Sequence, residues 1–469
     1  MTQGKKIITS TLLLIVLCLG GCMFFMRSCL SHYDERAALP PVLYFEKDGN
    51  QVLLAIVKYE KATSYTRRGG SVSKSVSTTY FLQSNDGTSG AKLNEQKIKH
   101  HSDIKEYPIE TLGSASQLAW IFVGELMAFD PFSLEKKADI GILESKNPQL
   151  KGKFPKENQY YKFNRLTGMI AITATDGSKW ELNTATLLAA DISNKPTAEP
   201  FEAELMAAIK RVEDIQKEIA MSVDKQYQQQ NNPSNKVRQG YFNQRDILYK
   251  KRDSLNQARY ALEKLARNAK DRLRVIENLQ ETRMGQSYSQ IKVNSDTLNG
   301  KLYGLYSSDE FKKVYDRFEY RSEYEETSRR KLLATGLTTK DDYLLVDKDN
   351  PTDLNASQSF LHGGFLLNKT NGMPIRLPNG WLVVHKSQIG KDGMIQVSNV
   401  GHDGKLLWTV NTQLPEWIDW ISTPQRLYIF GVNNKDLSSS DCNVLMIIDL
   451  ASGKTSGFDY FTDKPPTTN

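Results

Sequence analysis

Cysteine and histidine are scarce. The 469-residue chain holds four of the first and six of the second, and none is arranged as HExxH or as a CxxC pair, so a dedicated zinc site has no ligands at the usual spacing. His100 and His101 adjoin in a polar stretch that suits solvated surface. The chain also lacks GxSxG, GxxxxGK[ST] and a GxGxxG opening a helix, which removes the nucleophile elbow, the P-loop and the dinucleotide-binding turn. An excess of one charge is missing too. The 61 basic and 54 acidic residues leave +7, too little over this length to imply nucleic acid. No catalytic residue, cofactor or metal ligand is expected, and nucleic acid is not an expected partner.

What is present is aromatic-rich and ordered: 21 Tyr and 18 Phe accompany 39% hydrophobic residues, a composition that buries a core. Lys5 and Lys6 precede an apolar run from Ile7 to Met26, which at about 1.5 Å per helical residue just crosses a bilayer core. Its basic flank favours an N-terminus inside and the remainder outside. "LGGC", Leu19 to Cys22, resembles the lipobox of bacterial lipoproteins and would make Cys22 a lipidation site, whereas the apolar "MFFM" after it suits an uncleaved transmembrane helix. Both readings of residues 1–30 place the protein in the cell envelope, anchored to the inner or outer membrane with its globular part in the periplasm. Cys29 and Cys442 then remain outside the apolar run, as a bridge or as two thiols.

The stretch "SNVGHDGKLLW", Ser398 to Trp408, reads as a β-hairpin, because Asp-Gly tolerates the positive backbone angles of a tight turn. A related pattern, Asp or Asn followed four residues later by Gly, recurs at Asp86 and Gly90, Asp296 and Gly300, Asn368 and Gly372, and Asp449 and Gly453. Weaker copies carry Leu instead of Gly, in "AFDPFSL" (128–134) and "ELNTATL" (181–187). Runs of strand-forming residues accompany these copies, making seven units. Such spacing of short strands is the signature of propeller blades, small sheets that cannot bury their faces alone.

The eleven residues from Ser398 resemble the PQQ-type blade motif AxDxxTGxxxW of bacterial β-propellers. Gly404, Lys405 and Trp408 match it, Asp403 replaces the Thr, and the last copy has Gly457 where the motif has Trp. The resemblance implies that Trp408 docks between blades and that Gly404 turns the chain; Asp86, Gly90, Asp296, Gly300, Asn368, Gly372, Asp449 and Gly453 would be blade-docking positions of the same kind. It does not imply quinone chemistry, since those enzymes are longer and typically carry a vicinal cysteine pair that is absent here.

Between the third and fourth units the periodicity changes. Leu205, Ile209, Val212, Ile215 and Ile219 follow helical spacing, and Leu248, Leu255 and Leu262 fall at sevens, with Pro233 marking the break. Glu199 to Lys225 holds four basic and seven acidic residues; Lys236 to Ile276 holds twelve basic and four acidic. Opposite signs favour an antiparallel coiled-coil hairpin.

The expected architecture is therefore mainly β, a propeller of about seven blades (six to eight). Its parts are an anchor (1–30), first blades (40–198), a helical hairpin (199–281), strands (282–306), a second helical insertion (307–336) and last blades (337–462). The expected work is non-catalytic binding or assembly, with a protein partner on the hairpin or a propeller face and the membrane as the other partner. The alternative is an extracytoplasmic carbohydrate-active or other hydrolase using the central funnel, where Trp417 and Trp420 could line a sugar site.

Overall fold

The computed structural model describes residues 35–68, 71–101, 108–164, 167–193, 202–228, 235–280, 291–299, 301–306, 311–315, 322–340, 343–346, 352–353, 358–390, 393–433 and 442–465. The apolar run, Cys22, Cys29 and Gly300 lie outside them. Among the described residues no helix is long and apolar enough to cross a membrane. The fold is mainly β, built from several antiparallel sheets, and divides into two units: residues 194–281 with 370–372, and the rest.

Three four-stranded sheets come first. Sheet 1 joins β1 (Glu35–Lys47), β2 (Asn50–Arg68), β3 (Ser71–Asp86) and β4 (Lys92–His101); sheet 2 joins β5 (Ile109–Ala115), β6 (Leu118–Val123), β7 (Leu126–Phe129) and β8 (Lys136–Ala138). A short helix α1 (Ile140–Lys146), capped by the Asp139 carboxylate on the Ile142 N–H, leads to sheet 3. That sheet joins β9 (Tyr161–Asn164), β10 (Met169–Thr173), β11 (Lys179–Asn183) and β12 (Ala189–Asp191). After the helices α2 (Glu202–Gln228) and α3 (Asn235–Gln280) the chain returns with β13 (Lys292–Val293), β14 (Ser295–Leu298), β15 (Lys301–Tyr306), β16 (Phe311–Tyr315), β17 (Ser322–Glu326), β18 (Arg329–Lys340), β19 (Tyr343–Val346), β20 (Thr352–Asp353), β21 (Phe360–Leu361), β22 (Gly364–Leu366), β23 (Arg376–Leu377), β24 (Gly380–Lys386), β25 (Ile395–Gly401), β26 (Leu406–Asn411), β27 (Glu416–Ser422), β28 (Arg426–Val432), β29 (Val444–Asp449) and β30 (Thr455–Asp459). Sheet 4 runs β14-β15-β18-β19, sheet 5 runs β13-β22-β24-β25-β26, and sheet 6 runs β27-β28-β29-β30.

Strand periodicity explains how these sheets stack. Successive side chains of a strand point to opposite faces, and on β2 Leu53, Ala55 and Val57 pack with Tyr428, Phe430 and Leu445 of sheet 6, whereas Leu54 and Ile56 pack with Ala119, Ile121 and Val123 of sheet 2. The other face of β6, Trp120 and Phe122, meets Tyr161, Ile170 and Leu182 of sheet 3. Leu305 and Leu332 of sheet 4 meet Phe365, Trp381 and Val383 of sheet 5. Strands covered on both faces read as continuous apolar runs, as "LAWIFV" and "GWLVV" do. Each Val, Leu, Ile or Phe side chain buried this way contributes about 1.5–3 kcal/mol. The first and last sheets are also tied through backbone: Ala38 and Cys442 exchange N–H to carbonyl bonds of 2.7 and 2.9 Å.

Two expectations change. The units counted at Asn368 and at Gly404 belong to one sheet, since β22 and β25 flank β24, so the described residues form six sheets of four or more strands rather than seven. The stretch 307–336 is not helical where it is described: β16 and β17 pair as a hairpin and Arg329–Lys340 is a strand. Its aromatic residues and Val314 favour extended backbone, and helix-compatible polarity alone does not make an amphipathic stripe.

The helical unit matches its spacing. Val212, Ile215 and Ile219 of α2 are buried together with Ala208, and a cleft between the helices is lined by Ala207, Ala208 and Arg211 of α2 and by Leu255, Ala258 and Leu262 of α3. The start of α2 thus meets the middle of α3, which makes the pair antiparallel. At about 1.5 Å per residue, 27 residues against 46 leave the far end of α3 running past α2.

Candidate functional site: turns that dock one sheet on the next

The recurring Asp/Asn motif is a single turn geometry. At Asp86, Asp130, Asn183 and Asp449 the carbonyl accepts the N–H four residues on, and the N–H donates to the carbonyl five residues on, all within 2.7–2.9 Å. The side-chain oxygen accepts the N–H groups two or three residues ahead: Thr88 and Ser89, Phe132 and Ser133, Ala185 and Thr186, and Ser452. The fifth residue is left-handed, as Gly90 (φ 82°) and Gly453 (φ 72°), and as Leu134 (φ 58°) and Leu187 (φ 62°) in the copies without Gly. Asn368 donates to Met373 in the same way, and Gly372 has φ 66°. Burial would raise the Asp86 carboxyl, but the N–H and hydroxyl of Ser89 and the N–H of Thr88 outweigh it and hold that group below the usual carboxylate range. At Asp449 the Ser452 hydroxyl is the main cause of the same lowering.

These turns receive the neighbouring sheet. Trp408 of sheet 5 donates its indole N–H to Leu450 O at 3.2 Å, within the 449–453 turn of sheet 6. Gly457 of sheet 6 lies against the 86–90 turn of sheet 1: a β-carbon on Gly90 would fall 2.8 Å from the Gly457 backbone, and Ser456 Oγ donates to Thr88 O at 2.9 Å. Asn94 of sheet 1 donates to Phe132 O at 3.0 Å, in the 130–134 turn of sheet 2. Trp408, Gly457 and Asn94 each stand four residues after the left-handed Gly of their own sheet. The motif position is therefore kept even where the Trp is not. Gly404 has φ 81° and accompanies a register shift between β25 and β26, as a bulged hairpin turn requires.

Asp296 departs from this pattern. It lies on β14, buried, and its two oxygens accept from Arg376 Nη2 and Nε at 2.7 Å, with Trp381 Nε1 donating to Oδ2 at 2.8 Å. Burial pushes its carboxyl up; Arg376 first and Trp381 second overcome that and hold it below the ordinary range. It joins sheet 4 to sheet 5 as an ion pair instead of capping a turn. Sequence reasoning missed both partners, for they lie eighty and eighty-five residues away.

Three further polar features have no sequence signature. Asp419, on β27, is ion-paired to Lys369, whose Nζ sits 4.3 Å from the Trp420 ring centroid, and Trp420 Nε1 donates to Leu367 O at 2.8 Å. His385 and Ser398 share a buried 2.8 Å hydrogen bond that continues to Thr409 at 2.8 Å. Ser398 has no exposed surface, so the pair is a cross-strand link and no nucleophile. An open cleft of about 440 Å³ is lined by Lys99, Glu125, Glu144, Phe154 and Lys156, among others, but Glu144 is committed to the Gly152 N–H. Trp417 and Trp420 are buried, at 9% and 1% exposure. Among the described residues no group of three His, Cys, Asp or Glu is placed to hold a metal ion; the side chains of His100 and His101 lie outside that description. No family model and no curated protein matches this chain.

Proposed function

We propose that the six sheets close a β-propeller related to the PQQ-type repeat proteins, anchored in a bacterial envelope through residues 7–26, and that the protein is a non-catalytic binding or assembly scaffold. The carrying observation is the serial docking of one sheet's last strand onto the next sheet's turn, through Trp408, Gly457 and Asn94, together with the backbone link from Ala38 to Cys442. The packings form one series, sheets 4, 5, 6, 1, 2 and 3, in which the first and last sheets of the chain are neighbours, as they are in a propeller.

The scaffold reading is favoured over the hydrolase because buried carboxylates are spent on structure. Asp296 is held by Arg376 and Asp419 by Lys369, and glycoside hydrolysis needs two carboxyl groups about 5–10 Å apart and available to substrate. The helical unit is where a partner would be sought first: Met206, Ile247, Tyr260 and Leu265 are large, apolar and exposed on it.

The test is photo-crosslinking in intact cells from positions 206, 247 and 265, against positions 407 and 461 on the β unit. Discrete protein adducts from the hairpin positions support the scaffold. Adducts from neither set, with glycan hydrolysis by the purified chain, would replace it with the hydrolase. Palmitate-analogue labelling of the wild type and Cys22→Ala separates the lipid anchor from the transmembrane one.

A further inference from the structure

Strands β2 and β3 outrun their sheet. β1 pairs with β2 only as far as Glu35 opposite Glu60, and β4 pairs with β3 only as far as His101 opposite Thr78. Beyond those pairs, β2 and β3 continue alone from Lys61 opposite Ser77 to Arg68 opposite Ser71, with one register shift between Ala62 and Ser64. At about 3.4 Å per residue this two-stranded ribbon projects roughly 27 Å. Residues 61–77 contain Lys61, Arg67, Arg68 and Lys74, no Asp or Glu, and seven Ser or Thr. Lys97 and Lys99 of β4 approach the same end, and Glu35 and Glu60 stay at the root.

We infer that this ribbon is a docking arm for the phosphate headgroups of an anionic membrane surface. Three observations carry it. Its charge is of one sign over seventeen residues, in a chain otherwise nearly balanced. A lone two-stranded hairpin is marginal in water, so a ribbon of this length gains from a surface to lie against. Above all, it points the right way. β2 leaves the sheet past the first residue of β1, so the ribbon extends from the edge where the chain arrives from the apolar run. Residues 27–34 separate Met26 from Glu35, and eight residues span at most about 28 Å. The ribbon's projection is about as long as the longest span of that tether, so an arm of this length can reach a bilayer that holds residues 7–26.

The inference rests on the reading of residues 7–26 as a membrane segment, and the experiment separates the two. Full-length chain, freed of detergent, is floated with vesicles of phosphatidylcholine alone or mixed with phosphatidylglycerol, and hydrogen exchange is followed over residues 61–77. The comparison is Lys61→Ser/Arg67→Ser/Arg68→Ser/Lys74→Ser, which leaves the sheets untouched and is checked by its melting curve. Each basic residue near an anionic surface contributes about fivefold to partitioning. The expected result is exchange slowed about tenfold or more on anionic vesicles only, reversed by high salt and abolished in the variant. Flotation with both vesicle types and equal exchange on both overturns the arm and leaves the anchor standing. Flotation with anionic vesicles only, lost in the variant, upholds the arm and overturns the anchor. Flotation with neither overturns both. Protection by a duplex oligonucleotide but not by anionic vesicles overturns the lipid assignment.

Discussion

Trp408 and Gly453 lie on different sheets and are in contact: a β-carbon on Gly453 would sit 2.9 Å from the indole ring, which also donates to Leu450 O. Two requirements thus meet at Gly453, a left-handed backbone and an empty side-chain volume. Gly453→Ala should lose about 1–2 kcal/mol from the backbone alone and more from the clash. Trp408→Ala should cost about 2–3 kcal/mol, below the value for a fully buried Trp because this one is half-buried. In the double variant the clash term vanishes, so the two costs should sum to at least about 0.5 kcal/mol less than they do separately. Denaturant midpoints of the four proteins measure this; strict additivity would mean the two residues are not coupled.

Leu134 and Leu187 pose the opposite problem, a bulky residue in the same left-handed slot. Glycine there would relieve about 1–2 kcal/mol of backbone strain, yet Leu134 is 3% and Leu187 9% exposed, and removing a buried Leu side chain costs about 2–5 kcal/mol. Burial wins. Leu134→Gly is expected to destabilise by about 1–3 kcal/mol and Leu187→Gly by less, in urea unfolding followed by tryptophan fluorescence. A stabilised Leu134→Gly would show that the side chain is there for something other than packing.

The turn motif was legible because it is local: Asp or Asn, three residues, then a left-handed position, all within one loop and independent of distant chain. Periodicity likewise announced the helical pair through Val212, Ile215 and Ile219. The sheet count was less legible, since the turns at Asn368 and at Gly404 follow β22 and β25, the two strands that flank β24, and only pairing reveals that. Asp296 looked like another turn residue because its spacing to Gly300 fits, but Arg376 and Trp381 are brought to it by tertiary packing. The basic ribbon was readable in principle: "RRGGS" between two runs of β-formers is a hairpin signal, hidden by the polarity of its flanks.

His385 should make stability sensitive to mild acid. Burial depresses its imidazole to about 4, with a partly offsetting hydrogen bond at Lys386. The unfolded chain therefore takes up the proton first as pH falls, near 6.5, so the stability this site retains at neutral pH is lost between about 6.5 and 4, in total about 3 kcal/mol. His385→Gln keeps a polar group toward Ser398 and should flatten the urea-midpoint curve over that window while lowering it at pH 7. An unchanged slope would remove His385 as its source.

Asp296 governs a second, lower window, which allows the two acid effects to be separated. Its folded carboxyl is held below the ordinary value by Arg376 and Trp381 despite burial, so its contribution is present above about 3.9 and is lost as pH falls through the folded value. The Arg376 side chain is 40% exposed, which weakens the charge pairing by solvent screening; the buried Trp381 N–H is the costlier partner to strand. Asp296→Asn keeps an acceptor for that N–H and should cost about 1–2 kcal/mol, Asp296→Ala about 2–4. Below pH 4 the Asn variant should unfold with a shallower pH dependence than the wild type, while its slope between 6.5 and 4 stays intact, the reverse of His385→Gln. If both variants flattened the same window, sheets 4 and 5 would be sharing one coupled titration, and the assignment of separate residues to separate windows would fail.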